Sequence, residues 1–231
     1  MLTLRDLHLT VGNFALTADW QVNPGDRVAL IGPSGAGKST LLAAIAGFIP
    51  HASGEIQWNG QPLGPAGTRP VSILFQDQNL FPHLTIAQNL GLGLNPALRL
   101  SPAQHKAVED ALAQVGLAGF GPRKPAQLSG GQQGRAALAR ALLRARPLLL
   151  LDEPFAALGP ALKSEMLDLV ASVAGATGAA LLMVTHDPAD ARHLCPQTVL
   201  VANGKAHAPV STADLFANPP EALQAYLGES R

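Results

Sequence analysis

Gly32-Pro33-Ser34-Gly35-Ala36-Gly37-Lys38-Ser39-Thr40 decides the fold. The stretch meets the phosphate-binding pattern G-x-x-x-x-G-K-[ST] at every fixed position. Its flanks agree. Arg27-Val28-Ala29-Leu30-Ile31 predicts a short buried strand, and Leu41-Leu42-Ala43-Ala44-Ile45-Ala46 predicts the helix that follows. Glycines let the backbone curl until its N–H groups converge on an anion. The new helix adds its orphan N–H groups and the positive end of its dipole. In such a loop Lys38 reaches the β- and γ-phosphates of a nucleoside triphosphate, and the Ser39 hydroxyl ligates Mg²⁺. A glycine-rich turn that ends in Lys-Ser by accident has no reason to carry a strand before it and a helix after it.

Outward from the loop, turn chemistry separates apolar runs. Leu2, Leu4, Leu7 and Leu9 mark a first strand, and Phe14 to Trp20 a second. Asn23-Pro24-Gly25-Asp26 turns the chain into the strand before the loop. Gly47 is placed to cap the loop helix, with Pro50 beyond it. Gly54 to Trp58, Asn59-Gly60 and Gln61 to Leu63 predict a hairpin with a type I′ turn. Trp58 reads as core or hairpin packing rather than a ligand platform. Val71 to Phe75 is the next buried strand and ends at Gln76.

From about residue 77 to 146 strand signals vanish and helical spacing takes over. Thr85 to Leu90 predicts a short helix. Ser101-Pro102 opens a longer one, with Ser as N-cap and Pro at the first helical position. A third is expected from Gln132 to Arg146. The α/β pattern then resumes. Leu148-Leu149-Leu150-Leu151 is apolar on both faces, as a strand inside a parallel sheet must be. A helix from Pro160 to Ala174, an apolar strand from Ala179 to Thr185 and a closing hairpin around Asn203-Gly204 follow. The tail from Thr212 to Leu227 reads as helical. The expectation is a single α/β domain of the P-loop NTPase class over residues 1–231, with a small antiparallel β subdomain and a helical insert.

Composition narrows the function. The formal net charge is zero and the charged fraction is 14%, so no basic face for nucleic acid is expected. The low charge fits a surface that docks onto partners. A single cysteine, Cys195, excludes an internal disulfide and a four-cysteine zinc site. Met1-Leu2-Thr3-Leu4-Arg5-Asp6 shows no secretory pattern, and no apolar run approaches the ~20 residues of a membrane span. A soluble, cytoplasmic chain with no appended regulatory domain is the expectation.

Two more motifs carry chemistry. Asp152-Glu153 ends the Leu148–Leu151 strand, where many P-loop ATPases place acids. Asp152 there holds Mg²⁺ directly or through water, and Glu153 polarises the water that attacks the γ-phosphate. Leu128-Ser129-Gly130-Gly131-Gln132 opens a predicted helix and forms a second anion-binding N-terminus. One ATP on one chain has no use for two such cradles. Two chains arranged head to tail use both, with Lys38 from one and Ser129 with Gly131 from the other.

At this point the residues resemble the ATP-binding subunits of ABC transporters, whose LSGGQ signature likewise precedes the second acidic motif. The resemblance covers essentially the whole chain. It implies an ATP sandwiched between two copies of the subunit, with Ser129, Gly130, Gly131 and Gln132 facing the partner's nucleotide. It implies that Gln76 is the glutamine whose amide reaches Mg²⁺ or the attacking water. It also implies that His186 is the switch histidine that contacts the γ-phosphate. Two positions depart from the family. Ala156-Ala157-Leu158-Gly159 has glycine where the family commonly has aspartate, a residue thought to link the two sites. The aromatic adenine platform has no counterpart near Val11, which leaves Phe14 as the nearest candidate.

The resemblance further implies docking onto membrane permease subunits, fed by a periplasmic solute-binding protein, at the cytoplasmic face of the bacterial inner membrane. Gln76 to Thr85 is the expected permease contact. Arg69 to Phe81, Gly91 to Pro96 and Ala46-Gly47-Phe48 are similar to the ATPase subunits of bacterial thiamine importers. Uptake of thiamine and its phosphates is therefore the implied task, with an importer for a polyamine, iron or molybdate as the alternative. A non-transport P-loop ATPase is a further alternative. It has no use for Ser129 to Gln132, and a DNA-repair ATPase with this signature needs long coiled-coil insertions absent here.

Overall fold

The four leucines of the first strand change parity between Leu4 and Leu7, so a regular strand would turn two of them to each face. The computed structural model, which describes residues 1–75 and 80–228, shows how this is resolved. Asp6 adopts a φ of 44°, and the pairing register shifts between Leu4 and Leu7. This bulge rephases the strand, and all four leucines are fully buried.

In chain order the elements are β1 (Leu2–Val11), β2 (Phe14–Val22), β3 (Arg27–Ile31), α1 (Lys38–Ala46), β4 (Ser53–Trp58), β5 (Gln61–Pro62) and β6 (Val71–Leu74). Then come α2 (Ile86–Gly91), α3 (Pro102–Gln114), α4 (Gly130–Leu143), β7 (Leu148–Asp152), α5 (Pro160–Thr177) and β8 (Ala180–Val184). The chain closes with α6 (Pro188–Leu194), β9 (Gln197–Ala202), β10 (Lys205–Ala206), β11 (Val210–Ser211), α7 (Thr212–Ala217) and α8 (Glu221–Leu227). They fall into two units. One comprises Met1–Val71, Pro147–Asp152 and Gly178–Arg231; the other comprises Ser72–Arg146 and Glu153–Thr177.

The first unit is built on strands in the order β5-β4-β1-β2-β10-β9-β3-β8-β7. β4, β1 and β2 are antiparallel, whereas β9, β3, β8 and β7 are parallel. Leu148–Asp152 and Ala180–Val184 are buried at every position, which explains why both read as unbroken apolar runs. Asn59-Gly60 and Asn203-Gly204 turn with positive φ at both residues, as type I′ hairpins require. The second hairpin stitches the two kinds of pairing together. β10 runs antiparallel to β9 and parallel to β2, and the Trp20 indole N–H donates to Ala206 O at 3.1 Å. The lone Cys195 is buried, which pushes its thiol up to about 12; it stays protonated at neutral pH and inert.

α1 carries the phosphate loop, and its far end is closed by a device that no motif marks. Gly47 caps it in the left-handed region at φ 91°. The half-open carbonyls of Ala44 and Ile45 each accept from Arg69 Nη1 at 2.7 Å, while Arg69 Nε donates to Gly64 O at 2.6 Å. A cation at the negative end of the helix dipole completes the arrangement. Arg69→Met would take the side-chain donor from the Ile45 and Gly64 carbonyls and leave Ala44 O with the Gly47 N–H alone. It is expected to cost about 3 kcal/mol of stability, read from the urea midpoint.

In the second unit, α2, α3 and α4 all start with the same capping box, formed by Thr85 with Gln88, Ser101 with Gln104 and Ser129 with Gln132. Their packing buries Leu90, Val108, Leu112 and Leu138. Asn89 is fully buried among them. Its side chain accepts from Phe81 N at 2.7 Å and donates to the carbonyls of Phe81, Leu84 and Thr85, so it pins the 81–85 turn to α2.

Two expected helices shift their ends, and the helical tail divides. α4 starts at Gly130 rather than Gln132 because Ser129 is its cap, and it stops at Leu143 because Ala145 turns left-handed just before Pro147. α5 continues past Ala174 to Thr177, where Gly178 breaks it at φ 64°. The tail is helical as expected, in two pieces. Asn218-Pro219-Pro220 intervenes, and proline neither donates to the preceding turn nor lets its neighbour stay helical. No helix of the described residues is long and apolar enough to cross a membrane.

Candidate active site

β3 delivers the chain into the phosphate loop through Gly32, whose φ is 151°. A Cβ there would stand 2.0 Å from Val201 O on β9, so only glycine fits. Gly35 and Gly37 follow at φ 77° and 97°, and Gly37 is the N-cap of α1. No side chain closes this helix start, in contrast to α2, α3 and α4. The first N–H groups of α1 and the positive end of its dipole therefore face the curl of the loop, an arrangement suited to phosphate. Lys38, only 8% exposed, arches back over the loop. Its ammonium donates to Gly32 O at 2.7 Å and to Pro33 O at 2.9 Å.

α1 packs on β7 and β8. That packing brings Ser39, one residue after Lys38, to the C-terminal end of β7. Ser39 Oγ donates to Asp152 Oδ1 at 2.9 Å, and Asp152 is 5% exposed. A hydroxyl and a carboxylate oxygen thus meet across 113 residues of sequence, a donor set that suits a hard divalent cation such as Mg²⁺.

Phe14, the aromatic candidate for the base, is half-buried at the start of β2. Its ring lies against the loop, with Cζ 2.3 Å from where a Cβ on Gly37 would stand. Its cross-strand partner Val11 is 46% exposed. His186 follows β8 and Thr185. The Thr185 hydroxyl donates to Asp190 Oδ2 and accepts from Asp187 N, both at 3.1 Å. The His186 carbonyl accepts from Tyr226 Oη at 2.8 Å. No motif marks Tyr226, and no local signal in the sequence singles it out. Gln76 lies outside the described residues, as do 77–79 of the expected permease contact.

The second unit places the other motif residues. Ser129 caps α4. Its hydroxyl accepts from Gln132 N at 3.3 Å, and Gln132 Oε1 accepts from Ser129 N at 2.9 Å, which commits the Gln132 side chain to the box. Glu153 sits in the left-handed region at φ 47°, a conformation that costs a non-glycine residue and recurs at functional positions. Glu153, Gly131, Ala157 and Leu158 line one small cleft of about 60 Å³. The signature turn and the acid are therefore neighbours. Gly131 approaches the following loop closely, since a Cβ there would stand 3.2 Å from Leu158 Cδ2 and 3.3 Å from Ala157 O.

Gly159, the departure from the family pattern, accepts from Lys163 N at 2.9 Å and so occupies the N-cap position of α5. Its φ is outside the left-handed region, and a Cβ would meet nothing within 4 Å. Gly159→Asp therefore introduces a good cap without strain. A stability gain of a few tenths of a kcal/mol is expected. ATPase rate and cooperativity in ATP are expected to stay unchanged, as steady-state kinetics would show.

Residues 16–156 match the model of the ABC transporter family. The chain belongs to the ABC transporter family. Among curated ABC relatives, a thiamine import ATP-binding protein from Cereibacter sphaeroides is 64% identical over 230 residues, 99% of this chain and 100% of its own length. Another of that name from a Ruegeria species is 56% identical with the same coverage. Solved ABC cassettes agree in fold. A dimeric cassette in a post-hydrolysis state with ADP and Pi bound superposes with a TM-score of 0.82 at 28% identity, covering 92% of this chain and 99% of the other. A dimeric bacterial ABC transporter cassette gives 0.83 at 29% identity, with the same coverage.

Proposed function

We propose that this chain is the ATP-hydrolysing subunit of an ABC importer that energises thiamine uptake through membrane permease subunits. The carrying observation is the Ser39–Asp152 contact beneath the uncapped start of α1, on a chain 64% identical to a thiamine import ATP-binding protein.

The residues take the following roles. N–H groups of Gly32, Pro33, Ser34, Gly35, Ala36, Gly37 and Thr40, as far as each has one, surround the phosphates, and Lys38 holds the β- and γ-phosphates. Phe14 borders this loop and is the aromatic group available to the adenine. Ser39 and Asp152, with Gln76, hold Mg²⁺, which when bound offsets the charge of the phosphate oxygens. Glu153, next in the chain after Asp152, takes the proton of the attacking water, and His186 contacts the γ-phosphate. Ser129, Gly130 and Gly131 of a second copy close over the same nucleotide, with Gln132 bracing that turn through its capping box. Two copies are supported by the dimeric cassettes that share this fold.

ATP favours the closed pair only through contacts that the open pair lacks, and that difference is what moves a permease. The 81–85 turn, pinned by Asn89, carries the half-exposed Phe81 and borders a cleft of about 480 Å³ whose lining includes Thr85, Leu112 and Pro122. This face serves as the permease contact and holds the subunit at the cytoplasmic side of the inner membrane. Thiamine itself is selected by the permease and a periplasmic binding protein. In a bacterial strain lacking this chain, ATP-driven thiamine uptake is expected to return with the wild-type chain and not with Glu153→Gln. Failure of the wild-type chain to restore uptake would reject thiamine as the solute.

A further inference from the structure

We infer that Tyr226, on α8, is a positioning residue for the switch histidine. The inference rests on the role given to His186 above. A peptide unit is planar, so the His186 carbonyl and the Asp187 N–H move together. In this structure both ends of that one plane are held. The N–H donates to Thr185 Oγ1 at 3.1 Å, and the carbonyl accepts from Tyr226 Oη at 2.8 Å. The Thr185 side is rigid, because Thr185 is buried and its hydroxyl also donates to the buried Asp190 carboxylate. On the Tyr226 side the holding group is an O–H at the surface. Together they set the backbone angle from which the exposed His186 side chain projects.

α8 is built to deliver that hydroxyl. The Pro219-Pro220 break redirects the chain after α7, and Gln224 Nε2 returns to Pro219 O at 2.8 Å. Leu223 is completely buried and anchors the helix. Tyr226 lies three residues further on, on the same side of the helix. Gly228 ends the helix at φ 74°. The tail thus reaches back 40 residues to a loop at the end of β8. Removing the phenol hydroxyl takes this donor away from one end of the peptide plane. The imidazole then spends less time aimed at the γ-phosphate, while the phosphate loop is untouched. The effect belongs in kcat rather than in ATP affinity.

The test compares Tyr226→Phe and His186→Ala with the wild type as full-length chains, at concentrations where the dimer forms. For Tyr226→Phe, kcat is expected to fall about three- to tenfold, the size of one lost hydrogen bond, with KM for ATP and the thermal midpoint unchanged. His186→Ala is expected to lose nearly all turnover. Hydrogen exchange of the Asp187 amide, which needs no turnover, is expected to quicken in Tyr226→Phe. Wild-type kcat in Tyr226→Phe beside an inactive His186→Ala overturns the inference and leaves the role of His186 standing. Full activity in His186→Ala removes that role and the inference with it. A lowered midpoint or a raised KM in Tyr226→Phe shows a general packing role, and unchanged exchange at Asp187 shows that the plane is held without the hydroxyl; either result overturns the inference.

Discussion

Glu153→Gln is expected to bind ATP as the wild type does and to turn it over at least about a hundredfold more slowly, the scale of a lost general base. The amide matches the carboxylate in size but cannot take a proton from water. The substitution also keeps the backbone problem constant, because Gln at φ 47° carries much the same strain as Glu. The thermal midpoint should therefore not move, and any loss of rate is chemical. On the proposed two-copy site, the stalled variant should accumulate as an ATP-bound dimer. Phosphate release and size-exclusion chromatography with ATP measure both effects. Turnover at the wild-type rate would take the base role away from Glu153.

Ser129→Arg is expected to abolish hydrolysis while ATP still binds at Lys38. Two separate losses are built into this change. The Ser129 hydroxyl caps α4 by accepting from Gln132 N, and losing it costs about 1 kcal/mol. The long cationic side chain also obstructs the face that the second copy's nucleotide would meet. Ser129→Asp separates the two, since aspartate caps as well as serine yet brings negative charge toward a phosphate. Its stability should match the wild type and its hydrolysis should still fail. Nucleotide titration against the intact loop supplies the second readout. If Ser129→Arg cannot bind ATP, the site is not shared between two copies as proposed.

Much of the chain is legible from its residues alone because the relevant signals are local. Glycine and lysine spacing within nine residues marks the phosphate loop, and Ser101-Pro102 marks the start of α3. Asn-Gly marks the I′ hairpins, and unbroken apolar runs mark the buried strands. Each of these is a choice of backbone conformation made by a few adjacent side chains. The break at Asn218-Pro219-Pro220 is equally local, yet helical spacing continues on either side and hides it.

What the tertiary structure decided is a different class of fact. The leucine parity in β1 stated a conflict that a bulge at Asp6 resolved, and the bulge depends on pairing with β2 and β4. Ser39 and Asp152 each belonged to a motif, yet their 2.9 Å contact exists because α1 packs across β8 and β7. Arg69 closing α1 across 25 residues and Tyr226 holding the His186 carbonyl across 40 had no sequence signal at all. A hydrogen bond between distant residues costs the chain only what sheet order and helix packing have already settled. No window of neighbouring residues encodes that order. The sequence by itself therefore determined which chemistry the chain carries, and the fold determined which atoms stand close enough to perform it.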